Sequence, residues 1–165
     1  MVNKYYFQGD ISVESVNNLI EVLNGFEGAV DLWFSSCGGH PSSMRFLISY
    51  LNSRKDEIKI TLTDEICSAA TLLLIDFEGV LEYNDLDFIL FHMFDRERYP
   101  LRQSGSVSDN KIQKQDLKGN IEMALKFREK NILTKEQSRK FLKGKDVVLY
   151  EKQIRKLWKT SEQEI

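Results

Sequence analysis

The sequence predicts an α/β fold built on a parallel or mixed sheet with crossover helices. Two observations carry that expectation. Up to His92, short β-rich runs alternate with segments whose apolar residues recur at helical spacing, in the order β-α-β-α-β-α-β. Turn and capping residues stand at most of the junctions. After His92 the pattern changes and becomes mostly helical.

Lys4 to Phe7 reads as a first strand, closed by a Gly9-Asp10 turn. Ser12-x-x-Ser15, with Glu14 in the first turn, is a capping-box-like helix start. Val13, Val16, Leu19, Ile20 and Leu23 then give a helix that ends near Asn24-Gly25. Ala29 to Phe34 is the second strand. Ser35 to Ser43, dense in Ser, Gly and Pro, is a turn. Met44, Leu47, Ile48 and Leu51 form the next helical stripe, and Ile58, Ile60 and Leu62 alternate along a third strand. Ala69 to Phe77, small and then apolar, reads as a helix buried on most sides. Gly79 to Tyr83 is a short strand or turn, and Asp87 to Phe91 is a strand ending at His92. Asp95 to Asp109, polar and holding Pro100 and Gly105, reads as a loop or irregular hairpin. Ile112 to Lys130 is expected as one long helix, with Leu117, Ile121, Ala124, Leu125 and Arg128 near one side. Thr134 to Gln137 is a capping box opening a helix through Leu142, which Gly144 stops. Val147 to Tyr150 is a short strand, Glu151 to Trp158 a last helix, and Lys159 to Ile165 a frayed tail. With no internal repeat or low-complexity linker, residues 1–165 are expected to form one domain.

Composition removes several function classes. At 42% apolar and 29% charged residues, the chain reads as soluble and globular. A net charge of −2 leaves no electrostatic footprint for nucleic acid. The lysines and arginine of the C-terminal part (Lys140 to Lys159) interleave with apolar residues, as solvated helix faces do. Apolar runs such as Thr71 to Ile75 are too short to span a bilayer, and the N-terminus opens straight into a strand without a signal-peptide core. Two cysteines, Cys37 and Cys67, make no disulfide framework, so a reducing cytoplasm is the expected compartment. No Cys/His cluster has metal-ligand spacing, and no cofactor is expected.

The chemistry concentrates in Cys67-Ser68-Ala69-Ala70-Thr71-Leu72, in His92 and in the earlier pair Gly38-Gly39. A hydroxyl on a small-residue turn, an imidazole and a glycine turn are the parts of a nucleophilic hydrolase: nucleophile, base and backbone amides for an oxyanion. Thr71 is the candidate nucleophile on that turn; Ser68 and Cys67 are rivals that would require the turn to shift. Thr71 also reads as an ordinary helix-start hydroxyl, and His92 as a core histidine. His40, next to Gly39, reads as an exposed turn residue.

The order of these stretches resembles the Clp protease proteolytic-subunit family, of crotonase-like fold. Tyr6-Phe7-Gln8-Gly9 resembles its first strand and turn. Asp31 to Gly39 resembles its strand ending in N-S-P-G-G, and Cys67 to Leu72 its G-x-A-A-S-M nucleophile turn. Phe91-His92-Met93 is similar to its I-H-Q strand end, and Lys145-Asp146 to the R-D that supplies its acid. The long helix between them matches its handle, at about 95–133. The resemblance implies a triad of Thr71, His92 and Asp146, with the Gly39 and Leu72 amides as oxyanion hole. It implies a serine-type peptidase, here a threonine variant related to ATP-dependent Clp endopeptidases, cleaving peptides or unfolded proteins inside a homo-oligomeric ring stack. The alternative it leaves is a catalytically inactive structural or regulatory homologue. A crotonase-like acyl-CoA enzyme would share the oxyanion amides, but no CoA-binding loop is marked. The departures are specific: Thr71 for the serine, Cys67 for the glycine, Met93-Phe94 for the Q-P, and Asp95 to Pro100 for the glycine-rich handle strand. The chain also opens almost at the first core strand, without the axial loop that meets an AAA+ ATPase, so coupling to such a partner is not expected.

Overall fold

A computed structural model of the chain describes residues 2–93 and 107–161, with side chains for 2–93 and 118–158. The elements are β1 (Asn3–Gln8), α1 (Val13–Asn24), β2 (Val30–Ser36), α2 (Pro41–Ser53), β3 (Ile58–Cys67), a 3₁₀ turn (Ser68–Leu72), α3 (Leu73–Asp76), β4 (Leu81–Phe91), α4 (Val107–Glu129), α5 (Lys135–Leu142), β5 (Val147–Tyr150) and α6 (Glu151–Ser161). This is a mixed α/β protein with one five-stranded sheet in the order β1-β2-β3-β4-β5, in which β1 to β4 run parallel. Among the described residues no helix is long and apolar enough to cross a membrane. Contacts divide the chain into two units, 1–91 with 148–165, and 92–147.

In the first unit, order in the chain equals order in the sheet. Right-handed crossovers that always step the same way put their helices on one face. The alternation of the strands shows which face that is. Val30, Leu32, Phe34, Ile58, Ile60 and Leu62 are all buried, under Val16, Leu19 and Leu23 of α1 and Met44, Leu47, Ile48 and Leu51 of α2. Phe7 stacks on Phe34 at 5.0 Å. The intervening residues form the other face, which is polar and aromatic. There Asp31 accepts hydrogen bonds from Trp33 Nε1 (3.0 Å) and Thr61 Oγ1 (2.9 Å) and lies 3.6 Å from Lys59 Nζ. The Lys4 ammonium sits 3.5 Å from the Trp33 ring centroid, a cation–π contact. At the far side of the unit, Trp158 of α6 donates to the Leu81 carbonyl at 3.2 Å and tilts against Tyr83.

In the second unit, Phe127 of α4 meets Phe141 of α5 edge to face at 6.3 Å. The buried residues of α4 are Asn120, Met123, Ala124 and Phe127, whereas Ile121 and Leu125 are 40% and 48% exposed. The apolar stripe expected on this helix is therefore turned: Ala124 is buried, and its companions Ile121 and Leu125 face outward. The helix also starts at Val107, inside the stretch expected as a loop. The rest of that loop, 95–106, lies outside the described residues, as do 162–165 of the expected tail; α6 itself continues to Ser161.

The two strand-like runs expected on either side of Asn84 are one strand, β4, and β3 runs five residues past Leu62. Both extensions pass through an aspartate in the left-handed region, Asp64 (φ 52) and Asp85 (φ 49), and the β3–β4 register shifts on both sides of Asp64. Aspartate tolerates that conformation, so the strand bulges there instead of ending.

Ser12 and Ser15 form a reciprocal capping box at α1, with Ser15 N bonded to Ser12 Oγ at 3.0 Å and Ser12 N to Ser15 Oγ at 2.9 Å. Ser12→Ala should lower stability by about 1 kcal/mol. Urea unfolding of that variant, of Ser15→Ala and of the double variant should give a non-additive sum, since each side chain serves the other's backbone.

Candidate active site

Parallel strands bring their C-terminal ends to one edge, where open α/β sheets bind ligands. In the first unit that edge carries Gly9-Asp10 after β1, Cys37 to His40 after β2, and Cys67-Ser68 at the end of β3. The loop after β2 is pinned by backbone. Gly38 N donates to Ser36 Oγ (3.0 Å), Ile11 N to the Gly38 carbonyl (2.7 Å), and His40 N to the Ile11 carbonyl (2.8 Å). Ile11 and Gly39 thus form a parallel bridge. In such a bridge the flanking residues make the bonds, so the Gly39 N–H is directed away from Ile11.

Both glycines are required there. Gly38 (φ 101) and Gly39 (φ 141) lie in the region that side chains rarely adopt. A Cβ on Gly38 would sit 2.6 Å from Ser68 Cβ and 2.7 Å from the Cys67 carbonyl oxygen. A Cβ on Gly39 would strike the Ile11 carbonyl. The glycine loop is therefore in van der Waals contact with the turn after β3.

On that turn the hydroxyls are arranged unequally. Thr71 is 3% exposed, and its Oγ1 donates to the Ser68 carbonyl at 2.6 Å. Ser68 is half-buried, has φ 53, and its hydroxyl has no hydrogen-bond partner among the described residues. The other non-glycine residues with positive φ are Asp64, Asp85 and Asn131, types that visit this region more readily. A 3₁₀ ladder pairs each amide with the carbonyl three residues back. It directs the Leu72 N–H at the Ala69 carbonyl and leaves the opening amides, Ser68 and Ala69, without an intrahelical acceptor. Nothing in the composition of C-S-A-A-T-L distinguishes these roles; the backbone conformation of Ser68 does.

The thiols are poor nucleophiles. Cys37 Sγ donates to Asp10 Oδ1 at 2.9 Å, and that bond, then burial and the carboxylate's charge, hold its pKa above the ordinary thiol value. Burial, then the charge of Glu65, pushes Cys67 up to about 11. Both stay protonated at neutral pH. Among the described residues no group of three or more His, Cys, Asp or Glu side chains could hold a metal ion.

His92 and Asp146 belong to the second unit. His92 Nδ1 lies 2.9 Å from the Met93 carbonyl. A carbonyl can only accept, so Nδ1 is the donor here and Nε2 is the ring nitrogen left for another partner. Asp146 is exposed just before β5 and makes no hydrogen bond or ion pair among the described residues. The structure thus gathers Gly39, Ser68, Thr71 and Leu72 in one unit and sets His92 and Asp146 in the other. The chain matches no protein-family model and no curated protein sequence.

Two substitutions at this edge should move stability in opposite directions. Gly39→Ala should cost at least about 2 kcal/mol, from the backbone conformation and the collision with Ile11. Ser68→Gly relieves about 1–2 kcal/mol of backbone energy and loses roughly 0.4–1 kcal/mol through the more flexible unfolded chain. It should be neutral or raise stability by about 1 kcal/mol; denaturant midpoints of both variants test this.

The thiols give a pH test. A raised thiol pKa favours the neutral form in the fold. Its contribution to stability is complete below the ordinary thiol pKa and is lost as pH climbs toward about 11 for Cys67. Iodoacetamide at about pH 8 should modify exposed Cys37 in the folded protein and leave Cys67 intact until the protein is unfolded, as peptide mass mapping would show.

Proposed function

We propose that this chain is a divergent Clp-type, serine-peptidase-like protein of crotonase-like fold that hydrolyses peptide bonds within a homo-oligomer. The observation that carries the reading is the contact, at the C-terminal edge of the sheet, between a glycine loop with an outward-directed amide and a turn bearing hydroxyls. Acyl transfer needs a hydroxyl beside backbone donors that can receive the oxyanion. The stepwise β-α order of β1 to β4 fits the repeated β-α units of that fold. In this reading the resemblance assigns the nucleophile to Thr71, the base to His92 and the acid to Asp146, with the amides of Gly39 and Leu72 receiving the oxyanion. Donation from Nδ1 of His92 to its own neighbour's carbonyl leaves Nε2 for that part. Ile121 and Leu125, exposed on α4, support association of subunits, for which the ring stack of the family is the first expectation. The cytoplasm is the proposed compartment, and coupling to an AAA+ ATPase is not part of the proposal.

One observation favours a second reading, a catalytically inactive structural or regulatory homologue. The Thr71 proton is committed to the Ser68 carbonyl, the ordinary arrangement of a hydroxyl inside a helical turn.

Hydrolysis of a short fluorogenic peptide, with oligomeric state followed by light scattering, separates the two. The peptidase reading expects turnover that falls by about 10²–10⁴-fold in His92→Ala. A protein that assembles yet turns over no peptide is the inactive homologue. Replacing Ile121 and Leu125 together by glutamate should shift the assembly toward monomer without unfolding the chain; an unchanged mass would remove α4 from the interface.

A further inference from the structure

We propose that Ser68, rather than Thr71, is the hydroxyl of this turn that attacks acyl and phosphonyl electrophiles, with the amides of Ala69 and Gly39 as oxyanion donors. This rests on the hydrolase reading of the site and changes which residue performs the attack.

The starting point is an outlier. Ser68 is the one residue among those described, apart from glycine, Asp and Asn, that the fold holds at positive φ. It stands where β3 passes into the 3₁₀ turn. Strained residues persist where the surroundings over-determine them, and they cluster at functional sites. A strand-to-helix turn of this kind is a known way to hold a nucleophile. The hydroxyl sits on the sharp turn, the next residue gives one oxyanion N–H, and a neighbouring β-α loop gives the other.

Each part of that arrangement has a counterpart here in one unit. The residue after Ser68 is Ala69, whose amide opens the 3₁₀ ladder and has no carbonyl three residues back to receive it. The neighbouring loop is Cys37-Gly38-Gly39-His40 on the adjacent parallel strand, and Gly38 is in contact with Ser68 itself. Gly39 N–H points away from its bridge partner Ile11. Ser68 is half-buried and its hydroxyl has no hydrogen-bond partner among the described residues, whereas Thr71 is buried and its Oγ1 is bonded to the Ser68 carbonyl. Leu72 N–H, the donor that would accompany Thr71, is directed at Ala69 within the ladder. The shift from Thr71 to Ser68 thus moves nucleophile and donor together, each from a hydrogen-bonded group to one without a partner among the described residues.

The step balances simply. With an alkyl fluorophosphonate, a Ser68 Oγ–P bond forms, the P–F bond breaks, and fluoride leaves with the Ser68 proton as hydrogen fluoride. With a peptide, an Oγ–acyl bond forms, the C–N bond breaks and the Ser68 proton leaves with the departing amine; water then releases the acid.

The experiment is labelling of the full chain with an alkyl fluorophosphonate, mapped by peptide mass spectrometry. It uses the wild type, Ser68→Gly and Thr71→Val, with thermal melts as the check of folding and a fluorogenic peptide assay run in parallel. The expected result is an adduct on Ser68, absent from Ser68→Gly although that variant melts no lower than the wild type. The map should show no adduct on Thr71 in the wild type. An adduct on Thr71, or labelling that survives in Ser68→Gly and vanishes in Thr71→Val, would overturn the assignment while leaving the hydrolase reading in place. Peptide turnover untouched by Ser68→Gly would do the same. Wild-type protein that neither labels nor turns over peptide would remove both.

Discussion

The backbones of Gly38 and Gly39 approach their neighbours more closely than any side chain allows, and the sheet edge is built on that approach. On one side the loop is tied to Ile11 by two backbone hydrogen bonds, and on the other it rests on Cys67 and Ser68. The ends of β1, β2 and β3 are therefore held together largely through main chain, with the Cys37–Asp10 and Ser35–Glu65 hydrogen bonds beside it. Buried main-chain groups must be paired. Here the Gly38 amide takes Ser36 Oγ, its carbonyl takes Ile11 N, and His40 N takes the Ile11 carbonyl. Pairing these leaves the Gly39 amide as the loop's outward donor. The same contacts that close the fold at this edge thus leave a directed N–H beside a hydroxyl-bearing turn.

The sheet that delivers those ends is one-sided in its chemistry. Parallel strands buried on both faces read as continuous apolar runs, whereas β2 and the first half of β3 alternate, with Asp31, Trp33, Lys59 and Thr61 on the face away from α1 and α2. Asp31 organises that face by accepting from both Trp33 and Thr61 and by lying beside Lys59. Isolated surface ion pairs contribute little, so the apolar face beneath the helices supplies most of the stability. The polar face satisfies its own charges across neighbouring strands. That division leaves the strand ends, rather than either face, as the place where polar groups converge without all being consumed.

Much of this fold was legible in the sequence because its signals are local. Ser12 and Thr134 with their partners at the third helical position, the stripe Met44-Leu47-Ile48-Leu51, and the alternation Ile58-Ile60-Leu62 each report a period or a cap, and each appears where expected. The misreadings fall where tertiary context decides. The runs expected to end at Leu62 and Tyr83 continue through Asp64 and Asp85, which sit in irregularities of continuous strands. On α4 the choice between Ile121 with Leu125 and Met123 with Phe127 is a rotation of the helix, and packing against α5, through Phe141, sets it. At the site, the glycine pair and the small-residue turn could be read from composition. The direction of the Gly39 amide, the pairing of Thr71 with Ser68 and the left-handed backbone of Ser68 could not, since they follow from register and from how the 3₁₀ turn begins.

Ser68 and Thr71 divide between them the two things a hydroxyl can do at such a turn. The Thr71 bond to the Ser68 carbonyl, at 2.6 Å, stabilises the turn by about 1 kcal/mol. Attack by Thr71 would first break that bond, although the 3₁₀ ladder still pairs the Ser68 carbonyl with the Thr71 amide, and it would meet the crowding of a β-branched side chain. Ser68 has no such hydroxyl bond among the described residues. Its cost lies in the backbone, is already present in the folded protein, and is imposed by the pairing of Cys67 with Leu90 on one side and by the 3₁₀ turn on the other. A turn shaped for stability alone would carry glycine at such a conformation, as the chain does where it leaves α5 at Gly144, with φ 71. At position 68 a serine occupies the same region of backbone space, and what distinguishes it from glycine there is a Cβ packed against Gly38 that carries a hydroxyl without a hydrogen-bond partner among the described residues.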